Sequence, residues 1–210
     1  MRILNLYAGI GGNRKLWDNA HVTAVELDPA IAETYKYFFP DDQIIIGDAH
    51  EYLLKNYDRF DFIWSSPPCQ SHSLLNTALN AQGVVRYPDM KLYEEIIFLK
   101  HFFSGPWVVE NVKPYYRPLI EAQKMCRHLF WTNFHIRHKD INDKSIGMVE
   151  NEPPINTWRD ILGFDISKIK KAGVRKRSIL RNCVLPELGK HILDCAMGAL
   201  VKEEQGGLFA

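Results

Sequence analysis

Five short apolar runs, at residues 3–7, 21–27, 43–46, 61–65 and 107–112, each stop at a cluster of glycine, proline or acid. The first ends at Gly9-Ile10-Gly11-Gly12, after which residues 13–20 can start a helix. The second runs into Asp28-Pro29, an N-cap acid followed by proline at the first helical position. Gly47-Asp48 closes the third, and Ser66-Pro67-Pro68 stops the fourth. Residues 90–103 have helical apolar spacing (Leu92, Ile96, Ile97, Leu99), and residues 129–136 read as a sixth strand. Strands interleaved with helices in this way imply an α/β domain on a mostly parallel sheet with helices on both faces. Ligands of such sheets bind beyond the carboxyl ends of the strands. Residues 7–12, 26–28 and 48, then 67–69 and 110–111, are therefore expected on one rim.

The chain has 210 residues, 46% hydrophobic and 24% charged, with a net charge of +1, which fits one folded domain and excludes the disordered classes. No apolar run reaches membrane-span length, and the N-terminus does not read as a secretory signal, so a cytoplasmic protein with no membrane contact is expected. Cys69, Cys126, Cys183 and Cys195 are widely spaced, without the pairing of a zinc site or a disulfide framework. His135 and His138 would point to different faces of a strand, so no metal is expected. Residues 137–180 carry little periodicity, Pro153-Pro154 and a basic run over 168–177, which suggests a small loop-rich lobe. Helical spacing returns over 186–201, giving a core of 1–136, a lobe of 137–180, a closing helix of 181–202 and a flexible tail of 203–210.

Glycines after a first strand let the backbone turn tightly and approach a ligand. Glu26, at the second strand end, stands where an acid receives ribose hydroxyls, and Asp48 repeats the pattern at the third. The three together favour an adenosine-containing cofactor. Two prolines present Cys69 at the sheet edge, where positive charge or helix amides would lower its pKa and make it a nucleophile. The alternative, a buried thiol acting as a small hydrophobe, is the reading for the other three cysteines. Glu110 sits between apolar neighbours, and burial there is expected to keep it protonated near neutral pH.

The segments Leu-Tyr-Ala-Gly-Ile-Gly-Gly (6–12), Val-Glu-Leu-Asp-Pro (25–29) and Gly-Asp-Ala-His-Glu-Tyr-Leu (47–53) come in that order. Ser-Ser-Pro-Pro-Cys-Gln-Ser-His-Ser (65–73) and Val-Val-Glu-Asn-Val (108–112) follow them. This series resembles the motifs of the 5-methylcytosine-forming DNA methyltransferases over residues 3–134, and the likeness resumes at Arg181-Asn182-Cys183-Val184. The resemblance implies a Rossmann-like S-adenosylmethionine-dependent fold with a very small target-recognition lobe. The cofactor would lie over Tyr7, Ala8, Gly9, Ile10, Gly11 and Gly12, with Glu26 on the ribose, Leu27 against the adenine and Asp48 near its amine. Ala49, Pro67, Leu92, Asn182 and Val184 would complete its contacts. Cys69 would attack carbon 6 of a cytosine flipped from the duplex, with Glu110 holding a proton at ring nitrogen 3.

Residues 71–87 would be the mobile loop that closes on DNA, with Gln70, Ser73 and Arg86 among its contacts. Arg181 stands where the family has glycine, and it joins Lys170, Lys171, Arg175 and Lys176 as expected DNA contacts, the basic run being the main one. The family's Gln-x-Arg-x-Arg motif is reduced to residues 123–128, where Arg127 can reach the cytosine or the phosphate and His128 reads equally as a plain strand residue. So small a lobe implies a short or loose recognition sequence. An RNA cytosine methyltransferase of the same mechanism, or an idle cofactor- and DNA-binding module, are the alternatives. At the end of the chain, Gln205, Leu208 and Phe209 resemble the peptide by which bacterial proteins dock on the replication sliding clamp; the rival reading packs them on their own domain.

Overall fold

The structure is a computed structural model that describes residues 1–142, 155–165 and 176–206. Five strands are parallel: β1 (Arg2–Leu6), β2 (His21–Glu26), β3 (Gln43–Ile46), β4 (Phe62–Ser65) and β5 (Trp107–Val112). β6 (Gln123–Met125) and β7 (His128–Thr132) form an antiparallel hairpin, and β7 also pairs antiparallel with β5. The order is β3-β2-β1-β4-β5-β7-β6, so the winding reverses between β1 and β4 and opens a crevice at their carboxyl ends. Among the described residues seven α-helices accompany the sheet: α1 (Pro29–Phe38), α2 (Ala49–Asn56), α3 (Leu75–Ala81), α4 (Lys91–Phe102), α5 (Ile155–Leu162), α6 (Lys176–Arg181) and α7 (Pro186–Gly206). This is a doubly wound, Rossmann-like arrangement.

Alternate residues of each strand serve opposite faces, and both faces are covered, which is why the strands read as unbroken apolar runs. Ile3, Phe62, Trp64, Val108 and Phe130 pack with Trp158 of α5 and Leu188 and Ile192 of α7. Leu4, Leu6, Ile63 and Val109 pack with Leu53 of α2 and Leu92, Ile96 and Leu99 of α4. Asp28 caps α1 as its sequence position implies, its carboxylate accepting the Ala30 N–H at 2.8 Å and the Ile31 N–H at 3.4 Å.

Several elements differ from the sequence expectation. Residues 13–20 form turns rather than a helix, because the Arg14 guanidinium holds the Trp17 carbonyl (2.7 Å) and pairs with Asp42 (2.8 and 3.0 Å). The expected strand over 129–136 is the β6–β7 hairpin instead; β7 starts at His128 and stops at Thr132, with Cys126 at φ +54 in the turn. Helices α5 and α6 fall in the stretch read as loop-rich, and their Trp158, Leu162, Ile179 and Leu180 are buried in the same core as α7. Helix α7 continues to Gly206, past the end expected at 202.

Two glycines set how closely α7 and its leading segment approach the first loop. A Cβ on Gly12 would stand 2.5 Å from the Val184 carbonyl oxygen, and one on Gly189 would stand 2.6 Å from Asn13 Cα. Gly189→Ala therefore forces backbone apart and should destabilise by about 1–3 kcal/mol in urea unfolding. The same change at exposed Gly198, where a Cβ meets only the end of Arg137 at 3.9 Å, should instead stabilise α7 by up to ~1 kcal/mol. Equal midpoints for the two variants would contradict the close approach. Among the described residues no helix is long and apolar enough to cross a membrane.

Candidate active site

The loop after β1 takes the left-handed region at Tyr7 (φ +55), Gly9 (φ +55) and Gly11 (φ +82). Gly9 is the open position: nothing lies within 4 Å of where a Cβ would stand, so a ligand can press on the backbone there. Its N–H donates to Glu26 Oε2 at 3.0 Å, while the Asp28 N–H donates to Oε1 at 3.0 Å. Two backbone donors thus hold the Glu26 carboxylate, and its oxygens keep lone pairs for further hydroxyl donors. Ala8, Ile10, Gly11 and Gly12 are buried and shape the loop from beneath: Gly11 makes room for the rings of Tyr35 and Phe39, and Gly12 for Cys183 and Val184. Beside Glu26, Leu27 is 68% exposed and Ile46, paired with Glu26 across β2 and β3, is 58% exposed. Two apolar side chains facing solvent at adjacent strand ends suit a planar aromatic ligand. Ile46 was not among the sequence candidates, although an isoleucine just before Gly47-Asp48 was its signal.

Asp48 caps α2 by accepting the Glu51 N–H at 3.1 Å, the main reason its carboxyl lies below the usual range, and Lys91 Nζ is 3.7 Å away. Ala49 is buried behind it, and Leu92 is buried on α4 beneath the rim. Sequence reasoning missed the network underneath. Glu95 of α4, 0% exposed, accepts the Tyr7 hydroxyl at 2.6 Å and the Ser65 hydroxyl at 2.5 Å, and His50 Nδ1 lies 3.1 Å from it. One buried carboxylate therefore ties the chain after β1, the first turn of α2 and the end of β4 to one helix. Burial and Glu95 push the Tyr7 phenol far up, and the Glu95 hydrogen bond raises His50. An acid on the apolar face of α4, among Leu92, Ile96 and Leu99, was the available signal.

After β4, Pro67 and Pro68 lead into a 3-10 turn, Cys69–Ser71. Asn111 of β5 pins that exit, its Nδ2 donating to the Pro67 carbonyl at 3.0 Å while its Oδ1 accepts the Val112 N–H at 2.9 Å. Ser65 is opposite Val109, which brings Ser66 and Cys69 beside Glu110. Glu110 Oε1 lies 2.5 Å from His128 Nδ1, and Ser66 also hydrogen-bonds the carboxyl. Arg127 Nε donates to His128 Nε2 at 3.2 Å, and Arg127 Nη2 donates to the Arg181 carbonyl at 3.0 Å.

Both titration expectations for this pair are corrected. Burial pushes the Glu110 carboxyl up, but the hydrogen bonds of His128 and the Ser66 hydroxyl and the Arg127 guanidinium outweigh it, so the carboxyl lies below its ordinary value. The Cys69 thiol is pushed up rather than down: burial and the Glu110 carboxylate outweigh Arg127 and Arg181. The resting pair is a thiol beside a carboxylate. Cys183, fully buried, is pushed up to about 12 and packs as a hydrophobe.

The expected loop over 71–87 contains α3, and its base is fastened by a bridge between Ser73 and Pro114. Gln70 is exposed and its carbonyl accepts the Asn76 side-chain N–H at 2.8 Å, the Ser73 hydroxyl accepts the Leu75 N–H at 3.3 Å, and Arg86 is exposed with Tyr87. Asn182 is exposed, whereas Val184 is buried behind Gly12. Lys176 opens α6. Lys170, Lys171, Arg175, Leu208, Phe209 and the side chain of Gln205 lie outside the described residues. Among the described residues no three His, Cys, Asp or Glu side chains gather as a metal site requires.

Parts of the chain match known proteins. The chain is 33% identical to the tRNA (cytosine(38)-C(5))-methyltransferase of Bos taurus over 104 residues, 46% of this chain and 26% of that enzyme. It is 31% identical to the type II methyltransferase M1.HphI of Haemophilus parahaemolyticus over 80 residues, 34% of this chain and 22% of that enzyme. It thus spans about a quarter of the length of these relatives. Among solved structures, Spodoptera frugiperda DNMT2, as a triple mutant, matches with a TM-score of 0.41 and 24% identity, over 56% of this chain and 37% of that one. The model of the C-5 cytosine-specific DNA methylases matches residues 1–115, more than half of the chain. On that match the chain belongs to the family of C-5 cytosine-specific DNA methylases, whose methyl donor is S-adenosylmethionine.

Proposed function

We propose that this protein transfers a methyl group to carbon 5 of a cytosine in DNA through a covalent bond from Cys69 to carbon 6. The observation that carries the proposal is the pairing of Cys69, on a turn pinned by Asn111, with Glu110 on the neighbouring strand end. The first rim fits S-adenosylmethionine: an open Gly9, a Glu26 carboxylate beside it, and Leu27 with Ile46 as an apolar slot for the adenine. That molecule, when bound, supplies an electrophilic methyl group. The chain's own task is to make carbon 5 electron-rich. As Sγ bonds to carbon 6 its proton leaves, and ring nitrogen 3 gains one. The Glu110 carboxylate is the base through which that proton can pass. This replaces the expectation that Glu110 waits protonated. After transfer, carbon 5 loses its hydrogen as a proton to water, the Sγ–carbon 6 bond breaks, the nitrogen 3 proton passes back through Glu110 to the sulfur, and the aromatic ring returns. None of this is possible within a stacked duplex, so the base must be flipped out at a cost of roughly a few kcal/mol.

An RNA substrate is the second reading, favoured by the tRNA methyltransferases among the relatives. Duplex DNA and a tRNA, each carrying 5-fluorocytosine, decide between them with S-adenosylmethionine present and a denaturing gel as readout. A DNA adduct absent from Cys69→Ser supports the first reading. An adduct on tRNA alone moves the function to the second, and no adduct on either overturns both. Glu26→Ala should weaken binding of S-adenosylhomocysteine about tenfold to a hundredfold by calorimetry, as loss of charged hydrogen bonds does, and should change kcat much less. Undiminished affinity would remove Glu26 from the cofactor site.

A further inference from the structure

His128 opens β7 and faces Glu110 across the antiparallel pair, the two being 5% and 6% exposed. Its ring nitrogens lie between two groups of fixed character. Arg127 Nε–H is a permanent donor and reaches His128 Nε2 at 3.2 Å, so Nε2 must be the acceptor. The ring's proton is then on Nδ1, 2.5 Å from Glu110 Oε1. A doubly protonated ring would set Nε2–H against the guanidinium N–H, two donors and two positive charges with nothing between them. Arg127 cannot easily turn away, because its Nη2 is held by the Arg181 carbonyl at 3.0 Å. Donation therefore runs one way, from Arg127 to His128 to Glu110.

We propose that His128 is a positioning residue for Glu110: a neutral imidazole, fixed as the Nδ1–H tautomer by Arg127, that orients the carboxylate and keeps it unprotonated. The proposal deepens the reading of Glu110 as the group facing cytosine and rests on that reading for its catalytic meaning. Around the carboxylate stand His128 from β7, Arg127 from the hairpin turn, and Ser66 and Cys69 from the chain after β4. A carboxylate held in this way accepts a proton only when the substrate's chemistry drives it there. The same donor that stops Glu110 rotating thus also sets the acid limit of the reaction.

Two measurements test this, and the first needs no turnover. The 15N spectrum of the His128 ring at pH 7.5, assigned by its loss in His128→Asn, should show a protonated Nδ1 and an unprotonated Nε2. The opposite tautomer or an imidazolium overturns the proposal, whatever the substrate proves to be. Secondly, the Glu110 carboxyl is followed by 13C titration in the parent, His128→Leu and His128→Asn, using Glu110→Gln for assignment. Its midpoint should rise by about one to two pH units in His128→Leu, the loss expected for one hydrogen bond to a charged group. His128→Asn, whose amide N–H can stand near the Nδ1 position, should recover most of the shift. The acid limb of kcat should follow, because activity that needs the carboxylate is lost as pH falls through its midpoint, and a raised midpoint brings that loss to higher pH. A midpoint unmoved in His128→Leu overturns the proposal. If the midpoints move as expected but no methyl transfer is found on DNA or RNA, the proposed function fails while the positioning contact stands.

Discussion

Cys69→Ser is expected to abolish methyl transfer and the 5-fluorocytosine adduct while leaving S-adenosylhomocysteine binding unchanged. The substitution is nearly isosteric on an already pinned turn, so Asn111 still holds the Pro67 carbonyl and the fold has no reason to move. What is lost is a sulfur able to form and release a bond to carbon 6; a serine hydroxyl, far less acidic, does neither at a useful rate. The cofactor rim at Gly9 and Glu26 lies on other strand ends and does not depend on the thiol. Full activity in this variant would end the covalent mechanism. The raised pKa of the thiol has its own signature. Alkylation of Cys69 by iodoacetamide should be slow at neutral pH and climb about tenfold per pH unit past the ordinary thiol range, because only the thiolate reacts. Rapid alkylation that levels off below pH 8 would contradict the burial and the neighbouring charge.

Glu110→Gln should reduce kcat by about 10²–10⁴, the range for loss of a proton-transferring group. The amide oxygen can still accept from His128, so the side chain stays in place and only its ability to take and return a proton disappears. The same substitution should move a second observable in the opposite direction. Glu110 raises the Cys69 thiol, so removing its charge lowers the thiol and should speed iodoacetamide alkylation at pH 8. Unfolding would also slow transfer and expose the thiol, so the pattern is read together with a urea unfolding midpoint, which should stay at the parent's value. An unchanged kcat would reassign Glu110 to structure.

The sheet was legible because its strands are buried on both faces and punctuated by Gly, Pro and Asp; β3 and β5 match the expected bounds, and Asp28 caps α1 as expected. What escaped had local reasons. β6 is three residues, Gln-Lys-Met, with no alternation long enough to register, and α5 and α6 span eight and six residues in a polar stretch. The turns at 13–20 follow from contacts to Asp42 and to α7 that no nearby sequence reports. In the site, residues presented by a strand end (Glu26, Cys69, Glu110) were readable from position alone. Their titration was not, since it depends on Ser66, Arg127 and His128 arriving from separate parts of the chain. Glu95 went unnoticed for the same reason: a buried acid becomes meaningful only when Tyr7, Ser65 and His50 are seen to converge on it.

The tight seating of Gly12 on Val184, and of Gly189 on Asn13, also bears on how the molecule is made. The loop that shapes the cofactor rim leaves the ribosome some 170 positions ahead of the residues that back it. At ~5–20 residues per second the nascent chain would carry an unbacked glycine loop for on the order of ten to forty seconds. During that interval Trp17, beside Phe62 and Trp64, lacks the Gly189 carbonyl that later accepts its indole N–H. A chain stalled before α7 is therefore expected to be a target for chaperones and proteases rather than a weak methyl-donor binder, so assembly of the rim would report that synthesis has passed Gly189.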